Sequence, residues 1–213
     1  MCSAYRIERR RANAGASEPE TDILPEGEDE FLARPGGDIP VMAQGDEIEW
    51  MRWGFARSFR SVIHNARSER LTSGMWAESL DRGRRCAIPL TAWYEWTVEP
   101  NGRRQAYILE SPDLGLLWVA GLWEEMRDKH QGARAASMVT TAAIADVASI
   151  HHRMPAILQK DQIDAWLHAT RPLEVAGPAL RVQATPCASP LRRTRPDETS
   201  EGNPIQPDLF PGF

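Results

Sequence analysis

Apolar residues recur in short alternating runs through most of the chain, which predicts strands joined by turns. Residues 39–55, ending DEIEWMRWGF, predict two strands. RCAIPLTAWYEW, residues 85–96, is rich in β-formers and predicts a strand, a kink at Pro89 and a second strand. A turn at Asn101-Gly102 leads into a partner strand at QAYILES, and GLLWVAGLWEE and ASMVTTAA predict two more. ALRVQATP predicts a closing strand. Helical spacing is rarer. Residues 66–80 read as helical in part, and KDQIDAWLHA places Ile163, Trp166 and Leu167 on one helical face with Asp161 in the first turn. ADVASIHHRMP predicts a short helix or turn ended by Pro155, while residues 12–38, acidic and rich in Pro, Gly and Ala, predict a loop. The order of elements predicts one α+β domain dominated by antiparallel sheet.

Composition narrows this picture. The 213 residues are 42% hydrophobic, enough for a core. No apolar run approaches the ~18 residues of a membrane span, and the amino-terminal region has no secretory h-region. The three cysteines, Cys2, Cys86 and Cys187, are too widely spaced for a CxxC metal pair or a disulfide framework, so a reduced cytoplasmic protein is expected. Net charge is −5, unevenly distributed. Residues 1–50 carry −7, residues 51–104 carry +5 and residues 105–213 carry −3. A basic island in an acidic chain is either a solvated face or a local phosphate-binding surface.

Candidate chemistry lies in four short segments. Cys2 follows the initiator methionine, so loss of Met1 would leave an α-amine and a thiol on adjacent carbons. Glu95, between aromatics in WYEW, is either an outward-facing carboxylate or a buried one whose pKa is raised into the acid–base range. His151 and His152 in IHHRMP are either a surface pair or proton carriers, and they lack partners at metal-ligand spacing. Asn65 in HNARSER either caps a turn or orients a neighbour, while Arg67 and Arg153 suit a phosphate or an ion pair. Trp53 and Trp96 lie in the arginine-rich middle, where rings beside guanidinium groups suit single-stranded nucleic acid. Trp118 and Trp166 are expected in the core.

Taken in order, Met-Cys, Trp-Gly, Asn-Ala-Arg-Ser-Glu, Arg-Cys-x-Ile-Pro with Tyr-Glu-Trp, Thr-Thr-Ala and His-x-Arg-Met-Pro resemble the SOS response-associated peptidase (SRAP) family over roughly residues 1–187. The resemblance implies a single domain, residues 1–188, built on a mainly antiparallel, barrel-like sheet with short flanking helices. A polar, Pro-rich tail is expected over residues 189–213. It also implies covalent capture of abasic sites in single-stranded DNA. After removal of Met1, the amine of Cys2 would form a Schiff base with the ring-opened sugar, and its thiol would close a thiazolidine. An α-amine, with a pKa of about 8 against about 10.4 for lysine, is the more reactive nitrogen at neutral pH.

By the same resemblance Asn65 holds Cys2, and Glu95 assists proton transfer and removal of Met1. His151 opens the sugar ring and shuttles protons. Arg67 and Arg153 contact phosphates, Trp53 and Trp96 sit near a break in DNA stacking, and Thr140 or Thr141 completes the pocket's hydrogen bonds. No cofactor or metal is implied, and a monomer, nucleoid-associated when bound to DNA, is expected. Two departures stand out: Ser3-Ala4-Tyr5 where many members have Gly-Arg-Phe, with Arg6 as the substitute arginine, and Phe55-Ala56 after Trp-Gly. The alternatives are a thiol peptidase using Cys2 and His151, and a non-covalent single-strand binder in which Cys2 is incidental.

Overall fold

The computed structural model describes residues 2–12, 23–43, 45, 47–56, 62–126, 132–169 and 180–191. The chain opens with β1 (Tyr5–Glu8), α1 (Arg9–Ala12), β2 (Glu30–Ala33), β3 (Asp38–Met42) and β4 (Ile48–Trp53). A small hairpin follows, β5 (Phe55–Ala56) with β6 (Val62–Ile63), and then β7 (Asn65–Arg67). Two 3-10 turns lead to α2 (Ala77–Asp81), β8 (Arg85–Leu90), β9 (Ala92–Val98), β10 (Arg104–Glu110), β11 (Leu117–Glu125) and β12 (Arg134–Ala142). The remainder is α3 (Ala145–Ala148), β13 (Arg153–Pro155), β14 (Ile157–Leu158), α4 (Lys160–Leu167) and β15 (Gln183–Cys187). None of the described helices is long and apolar enough to cross a membrane.

Five strands close on themselves. β3 pairs with β4, β4 with β12, β12 with β11, β11 with β8, and β8 back to β3. All contacts are antiparallel except β4 with β12. β12 and β11 outrun the ring. β12 carries β7 in parallel on one edge and β13 on the other, and β11 carries β14. Beside this barrel lies a second sheet in the order β15-β10-β9-β1-β2, all antiparallel. Period-two alternation sorts the side chains. Ile39, Val41, Met51, Trp53, Cys86, Ile88, Val119, Ala136 and Met138 pack with Tyr5, Ile7, Trp93 and Leu109 of the second sheet in one core. The intervening residues Ala87, Ala120, Leu122, Ala135 and Val139 form a second core with Leu80 of α2 and Trp166 and Leu167 of α4. The two cores explain why β8 is buried at every position. The architecture is thus the α+β, barrel-like one expected.

Several details depart from the sequence expectations. The break in RCAIPLTAWYEW falls at Thr91, not Pro89. Pro89 continues β8 opposite Trp118, at a position where β3 no longer pairs with the strand and a missing N–H is tolerated. Thr91 ties the break to β1: its Oγ1 donates to the Arg6 carbonyl and accepts from the Glu8 N–H, each at 3.1 Å. Within residues 12–38, expected as loop, Glu30–Ala33 is a strand, because Phe31 and Ala33 alternate into the core opposite Ile7 and Tyr5. Residues 13–22 of that stretch lie outside the described ones. Pro155 does not end a helix; α3 stops at Ala148, and Arg153–Pro155 pairs with β12. Trp166 is buried as expected, its indole N–H donating to the Cys86 carbonyl at 2.9 Å, whereas Trp118 is only half-buried. Of the expected tail, residues 192–213 lie outside the described ones, and Pro190 accepts a hydrogen bond from Arg34 at 2.9 Å.

Gly121 of β11 lies opposite Cys86 inside the barrel, and a Cβ there would stand 2.7 Å from Cys86 Sγ and 3.1 Å from Ile88 Cδ1. Gly121→Ala should therefore cost about 1–3 kcal/mol of stability. Urea melts should show a lower midpoint at unchanged slope. A midpoint equal to wild type would mean that the barrel wall yields at this point.

Candidate active site

The amino-terminal segment is threaded between the two layers. Tyr5 pairs with Trp93 of β9, and the Ala4 carbonyl accepts the Tyr94 N–H at 3.0 Å. Cys2 is 1% exposed, and its thiol donates to the Ala4 carbonyl at 3.3 Å. From the barrel side, Asn65 Nδ2 donates to the Cys2 carbonyl at 2.7 Å. Asn65 Oδ1 is buried without a hydrogen-bond partner and is free to accept an N–H or O–H donor. From the sheet side comes Glu95 of β9, 1% exposed and on the core face with Trp93. Its negative charge bears on the Cys2 thiol, second only to burial in raising that thiol's pKa. The structure therefore brings Cys2, Asn65 and Glu95 together.

Local packing explains how Asn65 is presented. The β5–β6 hairpin folds back onto Gly54, which has φ +122°. A Cβ at Gly54 would sit 2.0 Å from Val62 Cγ1 and 3.3 Å from His64 Cβ, so only glycine permits this return. The His64 carbonyl then accepts from Trp53 Nε1 at 3.0 Å and from the Met138 N–H at 2.9 Å, and β7 runs on beside β12 with Asn65 opposite Met138.

His151, Arg153, Thr140 and Thr141 gather at the far end of β12. His151 Nδ1 lies 3.0 Å from both the N–H and the carbonyl of Arg153, which fixes the ring, and His152 stacks on it at 4.5 Å. Burial lowers the His151 pKa, so the imidazole is neutral at pH 7. Arg153 is itself buried. It makes a bidentate pair with Glu69 at 2.9 and 3.0 Å and also donates to the Thr140 carbonyl and hydroxyl. Arg67, opposite Thr140 on β7, is exposed, and its guanidinium has no hydrogen-bond or ion-pair partner among the described residues. Thr141 faces Met154 of β13 and is nearly buried.

Trp53 has no face open to a base, and Trp96 projects from the other side of its sheet from Glu95. Trp53 is 0% exposed, edge-on to Tyr5 at 5.1 Å and to His64 at 5.5 Å, so neither ring face is open to a base. Its part is to buttress β7 from below. Trp96 neighbours Glu95 in β9 and therefore projects from the opposite face of the sheet. There it lies under the Arg104 guanidinium at 5.8 Å and donates to Ser189 Oγ at 3.4 Å, away from Cys2. The sequence reading also passed over His64, although it lies in the HNARSER segment already singled out. The signal was a titratable residue directly before the orienting asparagine. Among the described residues no group of three or more His, Cys, Asp or Glu is arranged to hold a metal ion.

Burial pushes the Glu95 carboxyl up from 4.5 to about 7. The folded chain thus keeps this proton at a pH where the unfolded chain has released it. Stability is lost as pH rises from about 4.5 through about 7. Glu95→Gln does not titrate, so its stability relative to wild type should grow by roughly 3 kcal/mol across that interval. Urea melts at the two ends of the interval measure this. A difference that stays flat with pH would mean that the ionised carboxylate is stabilised in the fold.

Comparison with known proteins places this geometry. Residues 1–188 match the family model described as SOS response associated peptidase (SRAP). The chain is 29% identical over 147 residues to the abasic site processing protein HMCES of Gallus gallus, covering 55% of this chain and 44% of that one. It is 23% identical over 159 residues to the abasic site processing protein YedK of Escherichia coli K12, covering 71% of each. The chain thus spans less than half the length of the vertebrate relative it matches. A solved structure of a Bordetella bronchiseptica protein superposes with a TM-score of 0.71 at 22% identity, covering 88% of this chain and all of that one. A Bacteroides thetaiotaomicron protein gives 0.67 at 21% identity, covering 88% and 92%. These two likenesses establish the shared fold. With a family model matched along nearly nine-tenths of its length, the chain belongs to the SRAP family.

Proposed function

We propose that this chain captures abasic sites in single-stranded DNA covalently through Cys2, with residues 1–188 as the working domain and residues 189–213 as a tail. The observation that carries the reading is the convergence on Cys2 of an anchoring amide, Asn65, and a carboxyl titrating near neutrality, Glu95. The names of the relatives, abasic site processing proteins, support the substrate class.

Removal of Met1 converts the amide nitrogen of Cys2 into an amine. That nitrogen attacks the C1′ aldehyde of the ring-opened sugar. The carbonyl oxygen takes the two protons that the nitrogen gives up and departs as water, leaving the imine. The thiol then adds to the imine carbon, its proton passes to nitrogen, and the five-membered ring closes. Glu95 suits the proton transfers because its pKa lies near the working pH. His151, neutral and fixed by the Arg153 backbone, is the candidate for opening the sugar ring. Arg67 is the open phosphate contact, whereas Arg153 must exchange the Glu69 carboxylate for a phosphate to bind one.

The same burial argues against a thiol peptidase. Cysteine nucleophiles work as thiolates, and burial pushes the Cys2 thiol's pKa up. A neutral thiol suffices to add to an imine, whose nitrogen takes the thiol's proton and whose carbon is a stronger electrophile than a peptide carbonyl.

Intact-protein mass spectrometry with a single-stranded oligonucleotide carrying one abasic site tests the reading. The expected result is loss of Met1 and then a gain equal to the DNA minus water, with no stable adduct for Cys2→Ala. A chain that sheds Met1 yet forms no adduct would sink covalent capture. Arg67→Ala should weaken binding uniformly across sequences and flatten the salt dependence of affinity by about one unit of slope. An unchanged slope would remove Arg67 from the DNA path.

A further inference from the structure

The backbone that delivers Asn65 also delivers His64 to Cys2, with a nitrogen left unused. His64 Nδ1 faces the Val62 carbonyl at 3.4 Å, and a carbonyl oxygen only accepts, so in the neutral ring this nitrogen carries the proton. Nε2 then presents a lone pair. It is buried without a hydrogen-bond partner among the described residues, and the Cys2 backbone carbonyl is near enough to favour the protonated ring. The position is built rather than incidental. The His64 carbonyl is held twice, the ring is set edge-on to Trp53, and Gly54 leaves space for its Cβ. A buried imidazole nitrogen without a partner costs free energy, and a fold that constrains its neighbours this closely keeps it at the reacting residue.

We propose that His64 is a further proton-carrying side chain of this site, acting on the α-nitrogen of Cys2 from the barrel side while Glu95 acts from the sheet side. The inference rests on the covalent-capture reading. As the nitrogen lone pair forms the bond to C1′ and the carbonyl π pair moves to oxygen, nitrogen sheds a proton to His64 Nε2. The resulting imidazolium donates to the Cys2 carbonyl, which Asn65 also holds. The oxygen takes the Glu95 proton to become a hydroxyl, the His64 imidazolium protonates that hydroxyl so that it leaves as water, and the proton remaining on nitrogen restores the Glu95 carboxyl as the imine forms. The other titratable or charged groups of the site are the Cys2 thiol on the amino-terminal segment, Arg67 on β7 and His151 ahead of β13. The first is neutral through burial, the second points to solvent, and the third is bound to the Arg153 backbone. Each is therefore less suited than His64 to take this proton.

The test is the rate of adduct formation with the abasic oligonucleotide, using full-length chain that mass spectrometry shows to begin at Cys2. His64→Ala is expected to slow it by about tenfold or more. Affinity for the same DNA, measured in a Cys2→Ala background, should stay the same, and added imidazole should restore much of the rate. His64→Gln, which keeps a donor for the Cys2 carbonyl but carries no proton, should be as slow as alanine. A glutamine variant at the wild-type rate, or an alanine variant that imidazole does not rescue although its melting temperature matches wild type, overturns the role. If His64→Ala does not fold, the glutamine variant decides alone. A wild-type chain that forms no adduct defeats the capture reading itself, and His64's role falls with it.

Discussion

One hydrogen bond, from the Asn65 amide to the Cys2 carbonyl, joins the barrel side to the amino-terminal segment ahead of the second sheet. A neutral bond of this kind contributes only about 1 kcal/mol, so it does not by itself hold the chain's first residues in place. That task falls to β1, paired on both sides in its own sheet, and to Thr91, which binds its backbone from the bend between β8 and β9. The amide sets orientation. With the carbonyl of Cys2 fixed, the nitrogen and the side chain of that residue have few directions left to point. A reaction that must close a small ring gains most from such restraint.

Exclusion from water sets the charge state of the site. Burial raises the pKa of the Cys2 thiol and the Glu95 carboxyl and lowers those of His64 and His151. Every one of these shifts favours the uncharged form. Burial thus works against formal charge inside the site. Formal charge is left to the rim, where Arg67 meets solvent. In the proposed reaction, this division would separate holding the polyanion from transforming the sugar.

The long strands were legible in the sequence because their alternation persists for many residues, as in GLLWVAGLWEE. β2 and β13 were not, because each presents too few inward positions to build a period, and each exists by pairing with a strand remote in sequence. The residues about Cys2 could be nominated from their chemistry and their order along the chain. Their directions could not. That Trp96 lies on the far side of the sheet from Glu95, and that Trp53 has no open face, follow from packing between layers. His64 escaped notice because its importance lies in an unfilled valence, which shows only when every neighbouring donor and acceptor has a position.

β12 is engaged along both edges by four partners, β4 and β7 on one side and β11 and β13 on the other. It seals the barrel and carries the segments bearing Asn65 and Arg153. Strands paired along both edges are generally the last part of a fold to open. Opening of the cylinder also displaces Asn65 from the Cys2 carbonyl, so the reaction proposed for that residue ends with the fold.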